Sequence, residues 1–450
     1  MRLIKSLVLG SLALMGCNPS DFNSILDKAP VQEMGTSGSS TDSLFVLPLP
    51  APQSTKVAAR MLVSLKTSNY LAVADYDMNG KVTQYRASEV ESLGFPVNSA
   101  AVRLDGTVIL GSPRSPGGNA PGGKVTTWSV SSKADGSPSW VPLTSPQGDG
   151  HMGISVAAGF VTGVPTGDFV AVGDNSVQLI GADPTVSPQI AKSADSCQEL
   201  WLGNPSDFYA PRPVVVADLL APDLQAGVYD EIVLGAQLAG KPGQVLFVQY
   251  NGTDVLLCPS NPSRILTNGV SNSFGTALAA GDFDGDGHMD LAVGAPPNHV
   301  YVYWGPINLG TPEAPINPTP DVDIASATGK QFGKQLSAYA MQGQATAQLM
   351  VADPAAPSSG GVGEVMIFNI VRGTATTAGT AQAIATLFDS NKDSDPGLFG
   401  LNLGGLQFNT GLCNPAGGVQ LLPWASLGPS LYTFFAYSGP GAPADPRCFK

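Results

Sequence analysis

Charge is scarce in this chain of 450 residues, and positive charge is scarcest. Only 13% of the residues are charged, and 22 lysines and arginines stand against 35 aspartates and glutamates, for a formal net charge of −13. A protein that binds DNA or RNA needs a basic surface to neutralise phosphates. The composition therefore argues against a nucleic-acid partner and favours the polar surface of an extracytoplasmic protein exposed to ions and glycans.

Recognisable catalytic motifs are also missing. The chain has three histidines, His151, His288 and His299, and none has a serine or cysteine nucleophile motif beside it. Neither Gly-x-Ser-x-Gly nor His-Glu-x-x-His occurs. A non-enzymatic role is therefore predicted. One alternative stays open, because paired carboxylates that meet only in the folded protein are the machinery of glycoside hydrolysis.

Helical periodicity is absent between residues 44 and 450, where no segment repeats its apolar positions every 3.6 residues over a useful length. Apolar and polar residues instead alternate in short runs such as 124–130 and 299–303, which is typical of half-buried strands. The 53 glycines and 38 prolines exceed average usage and favour many turns. The predicted fold class is all-β.

Cysteine is rare as well, and the first of the five follows a short apolar region. Residues 1–5 are basic, and residues 6–15 are too few to span a bilayer as a helix. The run Leu14-Met-Gly-Cys17 resembles a bacterial lipobox, which implies cleavage before Cys17 and a lipid on that residue. The alternative is an ordinary signal peptide in which Cys17 is incidental.

These features predict three regions. Residues 1–16 form a lipoprotein signal peptide, residues 17–43 a lipidated flexible tether rich in Ser, Gly and Thr, and residues 44–450 the folded domain. The resemblance to lipoproteins implies a bacterial cell envelope and contact with the membrane through the N-terminal lipid only. Asn18 is not the aspartate that commonly retains such proteins in the inner membrane, so an outer-membrane or surface location is favoured.

The remaining cysteines, Cys197, Cys258, Cys413 and Cys448, are even in number, as expected for disulfides in an exported chain. Four cysteines allow three pairings. Proximity in sequence favours Cys197 with Cys258 and Cys413 with Cys448, and each closed loop would contribute on the order of 4 kcal/mol. Free buried thiols are the alternative.

One acidic loop carries the strongest functional signal. Four aspartates, Asp282, Asp284, Asp286 and Asp290, stand at its positions 1, 3, 5 and 9. Gly287 at position 6 permits a sharp turn, and His288 at position 7 would contribute its backbone carbonyl to a Ca²⁺ ion. An EF-hand would place a bidentate glutamate at position 12, where this chain has Val293. The loop predicts one Ca²⁺ site outside an EF-hand.

The flanks of this loop complete a motif. Phe274-Gly275 precedes it and Gly294-Ala295-Pro296 follows it, so the segment resembles an FG-GAP repeat, the blade unit of the integrin α-subunit β-propeller. The resemblance implies a β-propeller whose loops on one face bind a protein or a glycan. Several blades of integrin-like propellers usually carry calcium, whereas only one loop of this chain keeps the full ligand pattern.

The same unit recurs along the chain as an apolar run, a turn and an alternating run. Its apolar runs are 71–74, 108–111, 170–173, 232–235, 291–294 and 349–352, and a weaker seventh copy extends from Phe399 to Tyr437. Repetition of this kind predicts a repeat architecture, here a seven-bladed β-propeller of the FG-GAP, integrin α N-terminal type. The all-apolar runs are expected to pack between neighbouring blades, with Trp128 and Trp304 in the core.

Two further motifs are interpreted as hairpins. Residues 75–80 open like a calcium loop but end in Asn79-Gly80, a strong hairpin signal. Residues 118–124 imitate a phosphate-binding loop, but Val125 replaces the Ser or Thr and a strand pattern follows.

The sequence thus predicts a calcium-binding, envelope-anchored propeller that acts as a non-enzymatic binding or adhesion module. Two rivals stay open. One is a polysaccharide lyase or glycosidase with its acidic residues around the central channel. The other is a structural subunit of an envelope complex, which an exposed apolar patch would favour.

Overall fold

The structure is a computed structural model. It describes residues 31–33, 43–49, 57, 59–65, 71–76, 82–91, 97–103, 105–113, 122–144, 147–149, 151–164, 166–173, 176–181, 189–192, 212–220, 230–236, 242–250, 255–256, 265–269, 271, 273–311, 313–327, 329–340, 346–357, 362–374, 377–387, 400, 402–409, 419–427 and 430–433. Most of these residues lie in β-strands. One short helix, α1 (Ser88–Glu91), occurs among them. None of the helical segments in the described ranges has the length and apolar character needed to cross a membrane.

Seven antiparallel sheets are formed by the described residues, and we number them in chain order as blades 1 to 7. Blade 1 contains β2 (Ser43–Leu49), β3 (Ala59–Leu65), β4 (Leu71–Tyr76) and β5 (Val82–Arg86). Blade 2 contains β6 (Ser99–Val102), β7 (Thr107–Ser112), β8 (Gly122–Ser132), β9 (Pro138–Thr144) and β10 (Gln147–Asp149). Blade 3 contains β11 (Ser155–Gly159), β12 (Asp168–Val172), β13 (Ser176–Ile180) and β14 (Gln189–Lys192).

The second half of the chain continues the series. Blade 4 contains β15 (Val214–Ala217), β16 (Glu231–Ala236), β17 (Gln244–Tyr250), β18 (Val255–Leu256) and β19 (Ile265–Leu266). Blade 5 contains β20 (Ala277–Gly281), β21 (Asp290–Ala295), β22 (His299–Tyr303) and β23 (Val322–Ala325). Blade 6 contains β24 (Gln335–Ala340), β25 (Ala347–Pro357), β26 (Val362–Val371) and β27 (Thr380–Leu387). Blade 7 contains β28 (Leu403–Asn409), β29 (Val419–Leu427), β30 (Ser430–Thr433) and β1 (Val31–Glu33).

The blades close into a ring. The first strand of each blade lies beside the first strand of the next, in the order β2, β6, β11, β15, β20, β24, β28 and back to β2. Such closure leaves only short outer edges exposed. The predicted all-β, seven-bladed β-propeller is therefore confirmed.

Blade 7 takes its outer strand from the beginning of the chain. Val31 pairs with Tyr432 and Glu33 with Ser430, so β1 joins the ring to its own last blade through backbone hydrogen bonds. The prediction that the whole of residues 17–43 is a flexible tether is wrong at this point, because Val31–Glu33 is part of the propeller. Three residues in a Ser- and Gly-rich segment show no periodicity, and only the edge of β30 makes them a strand.

The second strands of the blades are buried on both faces, as expected of apolar runs between blades. Every residue of β21 is buried. Leu291 and Val293 pack with Phe247 of blade 4, whereas Ala292 faces the other way and packs with Leu349 of blade 6. Alternate residues thus enter two different interfaces, and both interfaces require apolar side chains.

The apolar run of the first copy occupies a different place in its blade. Residues 71–74 lie on β4, the third strand, and the second strand is β3. β3 carries a charged Arg60 that is only 3% exposed, because it pairs with Asp75 at 2.6 Å (Nε–Oδ1) and 2.8 Å (Nη2–Oδ2). Because Arg60 interrupts the apolar pattern of β3, the sequence does not predict that this strand is buried. Asp75 therefore serves this ion pair, and Tyr76 pairs with Val82 as in a hairpin.

Candidate metal site

The acidic loop connects β20 to β21 in blade 5, and the two strands fix its ends. Gly281 pairs with Asp290, so eight residues, 282–289, span the gap between paired positions. Phe283 at position 2 is fully buried against blade 6 and anchors the loop. Gly285 and Gly287 have φ values of 83° and 89°, a left-handed conformation that glycine adopts without steric cost. The expectation that Gly287 permits the turn agrees with this geometry.

Hydrogen bonds fold the loop onto its own carboxylates. Asp282 accepts from the backbone N–H of Gly285 (2.6 Å) and of Gly287 (3.0 Å). Asp284 Oδ1 accepts from the N–H of Asp286 (3.1 Å). The local turns thereby hold the aspartates on the inner side of the loop, which suits a ligand cage.

Three carboxylates meet inside this cage. One oxygen from each of Asp282, Asp284 and Asp290 lies within 4.8 Å of the others. Two oxygens that both lie about 2.4 Å from one Ca²⁺ can be at most about 4.8 Å apart. The Oδ2 atom of Asp284 is buried and has no hydrogen-bond partner. The all-oxygen donor set fits a hard cation.

Asp290 has a second, structural task. Its oxygens accept hydrogen bonds from the N–H of Phe283 (2.8 Å) and of Gly305 (2.9 Å), which tie the loop to the start of β21 and the end of β22. Burial raises the pKa of this carboxyl to about 7, and the charges of Asp284 and Asp286 add to the shift. A nearby cation would favour its ionised form.

Asp286 faces a cation of the protein itself. Its Oδ2 lies 2.7 Å from Nη1 of Arg372 in blade 6, and its Oδ1 accepts from the N–H of His288 (2.9 Å). The pKa of Asp286 is lowered mainly by the hydrogen bond from His288, with a contribution from the charge of Arg372. Asp286 is not among the three carboxylates that converge, and its role as a metal ligand stays a prediction.

Arg372 is a charged partner of the acidic loop that sequence reasoning missed. It stands 86 residues beyond Asp286 and follows the end of β26, so no local spacing connects it with the loop. Its Nε lies 2.5 Å from Asp284 Oδ2. Only the packing of blade 6 against blade 5 brings these groups together.

The remaining predicted site residues fall into two groups. His288 is exposed in the acidic loop, and the role of its carbonyl as a ligand stays a prediction. The cysteines all lie outside the described residues, namely Cys17, Cys197, Cys258, Cys413 and Cys448. Lipidation of the first and disulfide pairing of the other four therefore stay predictions.

Two aromatic expectations have different outcomes. Trp128 is 3% exposed and belongs to the core between blades 1 and 2, as predicted. Trp304 lies just after β22 and is half-buried, and it packs against the edge of the core between blades 5 and 6. It lies where the strand leaves the sheet, and its ring faces the guanidinium of Arg372 at 5.4 Å.

A buried acid in blade 4 occupies the place that Asp290 has in blade 5. Glu231 begins β16, as Asp290 begins β21, and its Oε2 accepts from the N–H of Leu219 (2.8 Å) as Asp290 accepts from Phe283. Gln249 donates to Oε1 at 2.8 Å. Burial raises the pKa of Glu231 to about 7. A carboxylate at the start of the second strand is thus a recurring part of the blade.

Comparison with known proteins identifies the repeat. Residues 274–303 match the FG-GAP repeat, a segment that takes in β20, the acidic loop, β21 and β22. Human phosphatidylinositol-glycan-specific phospholipase D is 32% identical over 158 residues, which cover 31% of this chain and 18% of that protein. The chain therefore spans less than a fifth of the length of this relative. The FG-GAP resemblance of the fifth copy is confirmed.

Proposed function

We propose that the protein is a calcium-binding, envelope-anchored propeller that acts as a non-enzymatic binding or adhesion module for a protein or a glycan. The FG-GAP repeat and the ring of blades support the integrin-like part of this proposal. The acidic loop supports the metal. The lipobox-like run at Cys17 supports the anchor and the outer-membrane or surface address.

The observation that carries the calcium proposal is the convergence of three carboxylates in one loop. Carboxylate oxygens are the ligands that calcium prefers. Oxygens of Asp282 and Asp290 lie within 4.8 Å of the ligand atom of Asp284. The two glycine turns supply the flexible ring that calcium coordination uses.

Calcium in this loop would offset the mutual repulsion of the aspartates, which is roughly 1 kcal/mol per pair even in water. Asp282, Asp284 and Asp290 would hold the ion, and Asp290 would also fix the loop to β21 and β22. The loop lies between the first and second strands of its blade. Loops at that position in successive blades open on one face of the ring, where a protein or glycan would bind.

Calcium-linked stabilisation tests the metal. Because a ligand that binds only the folded state stabilises it by about 2.7 kcal/mol at a hundredfold excess over its Kd, the melting temperature should rise when calcium replaces chelator. Asp286→Ala removes a predicted ligand and a charge, so most of that rise should vanish while the fold persists. Asp77→Ala, in the segment interpreted as a hairpin, is the matched control and should keep it. Equal loss in both variants would place a second site in blade 1, and an unchanged rise in Asp286→Ala would remove Asp286 from the ligand set.

Mass spectrometry tests the lipid anchor and the predicted disulfides. The mature N-terminus should be a lipid-modified Cys17, and an unmodified chain cut elsewhere would end that part of the proposal. Peptide mapping without reductant should find Cys197 linked to Cys258 and Cys413 linked to Cys448. Cys197 linked to Cys413 would refute the local pairing.

A pull-down from envelope extract, with calcium and with chelator, tests the binding role. Capture of one protein or glycan that depends on calcium and is lost in Asp286→Ala is the expected result. Turnover of a polysaccharide by the purified protein would support the enzymatic rival instead.

A further inference from the structure

We infer that Arg372 is an internal competitor for the calcium site, a latch from blade 6 that neutralises the acidic loop and must leave Asp284 when the ion binds. The inference rests on the proposed calcium function and adds a residue that sets the affinity of the site. Arg372 follows β26 directly, and its guanidinium reaches across the interface between blades 5 and 6.

The contact is made with two of the loop carboxylates at once. Nε lies 2.5 Å from Asp284 Oδ2 and Nη1 lies 2.7 Å from Asp286 Oδ2. The side chain of Asp284 is 4% exposed, so its charge is largely removed from water. A buried carboxylate needs an opposite charge nearby. Arg372 supplies that charge from within the protein.

The atom that Arg372 covers is the one that a metal would use. Asp284 Oδ1 already accepts the N–H of Asp286, and Oδ2 is the oxygen that lacks a hydrogen-bond partner. A Ca²⁺ ligand distance of 2.3–2.6 Å is about the same as the present Nε–Oδ2 separation. One oxygen cannot hold both cations on the same side, so the ion and the guanidinium compete.

The short contact with Asp284 is poorly directed. Although Nε is close, the geometry does not make a hydrogen bond to Oδ2. The guanidinium also lies over the ring of Trp304, 5.4 Å from its centroid, and contacts Asp286. The contact with Trp304 gives the guanidinium a place to remain after it leaves Asp284. The latch is therefore a group that calcium can displace.

Trp304 makes the exchange observable. The residue is half-buried, and the positive charge of Arg372 lies over its ring. Its backbone N–H donates a hydrogen bond to Asp321 Oδ2 at 2.9 Å. A shift of the guanidinium away from the loop changes the electrostatic surroundings of the indole while the backbone stays in place. Its fluorescence should therefore respond to the cation that occupies the loop.

Calcium titration of Arg372→Ala tests the competition. Removing the competitor should tighten the apparent Kd about tenfold, within the usual range of coupling between linked sites. Arg372→Lys keeps the charge but not the forked geometry and should tighten it less. Arg86→Ala, which removes an exposed arginine of blade 1, should match the wild type. An Arg372→Ala variant whose Kd equals or exceeds that of the wild type would overturn the inference.

The tryptophan signal supplies a second measurement. In wild-type protein calcium should change the emission of Trp304, taken as the difference from Trp304→Phe, and in Arg372→Ala that change should be largely lost. An equal change in both proteins contradicts the latch. Calcium binding by neither wild type nor Arg372→Ala contradicts the proposed function. Equal, tight binding by both contradicts only the latch.

Discussion

The loops between the first two strands of blades 3 and 5 have the same length and the same buried positions. Each spans eight residues, because Gly159 pairs with Asp168 as Gly281 pairs with Asp290. Each buries its second residue completely, Val161 in blade 3 and Phe283 in blade 5. Burial raises the pKa of both strand-start carboxyls. The loop length and its buried acid are therefore properties of the blade.

The groups that surround the strand-start acid differ between the two loops. In blade 3, the N–H of Thr162 donates to Asp168 at 2.7 Å, and its hydroxyl lies 2.8 Å from the same oxygen. That loop has no other aspartate before Asp168. In blade 5 additional aspartates stand at positions 1, 3 and 5, and one oxygen from each of Asp282, Asp284 and Asp290 lies within 4.8 Å of the others. A buried strand-start acid occurs in both loops, whereas a group of carboxylates that could hold a metal occurs in the blade 5 loop.

The largest expected effect concerns the shared anchor. Phe283→Ala should lower the free energy of unfolding by about 3–5 kcal/mol, because it leaves a large cavity between blades 5 and 6. Val161→Ala removes less volume at the same position and should lower it by about 2 kcal/mol. Chemical denaturation in chelator measures both. A smaller loss for Phe283→Ala than for Val161→Ala would show that the two loops are anchored differently.

A pH effect should follow from the buried acid of blade 4. Because burial raises the pKa of Glu231 from 4.5 to about 7, the folded state binds its proton more tightly than the unfolded state. Stability should therefore fall as pH rises from 4.5 to 7, by about 3 kcal/mol from this group. Glu231→Gln keeps an acceptor for Leu219 and should remove this part of the decline.

Denaturation at several pH values, compared with wild type, measures the effect of Glu231→Gln. Glu313→Gln changes an exposed glutamate and is the matched control, which should follow the wild-type curve. A Glu231→Gln curve parallel to that of the wild type would mean that the buried acid is not protonated in the folded state.

The smallest effect separates the two strand-start acids. Asp168→Ala leaves the Thr162 N–H without its partner, and Asp290→Ala does the same to the N–H groups of Phe283 and Gly305. Each should cost about 1–3 kcal/mol in chelator. Calcium should still raise the melting temperature of Asp168→Ala, whereas Asp290→Ala should lose that rise. Loss of the rise in both variants would contradict the distinction between the loops.

Local sequence pattern was sufficient to predict a structural feature wherever one continuous stretch of the chain contained all its residues. The strand pair β21 and β22 and the glycine turn at Gly287 follow from alternation and from glycine spacing. The aspartates at positions 1, 3 and 9 converge because alternate residues of a short loop point to the same side. The FG-GAP segment was found for the same reason, since its motif is continuous over 274–303.

Pattern failed where partners came from distant parts of the chain. Val31–Glu33 shows no strand pattern, and only the edge of β30 makes it one. The buried strand β3 is not among the apolar runs of the repeat, because it contains the charged Arg60. Asp75, which neutralises Arg60, comes into contact with it only when the sheet forms. The sequence predicts Trp304 as a core residue, but its position just after β22 leaves it half-buried.

The repeating unit, the all-β class and the acidic loop of blade 5 could all be predicted from the sequence, because backbone periodicity and short-range ligand spacing act within a few residues. Tertiary structure alone decided how the ring closes and which cation faces the loop. Arg372 is 86 residues from Asp286 along the chain but 2.7 Å away in space. Electrostatic attraction depends on distance through space, and the packing of blade 6 against blade 5 sets that distance.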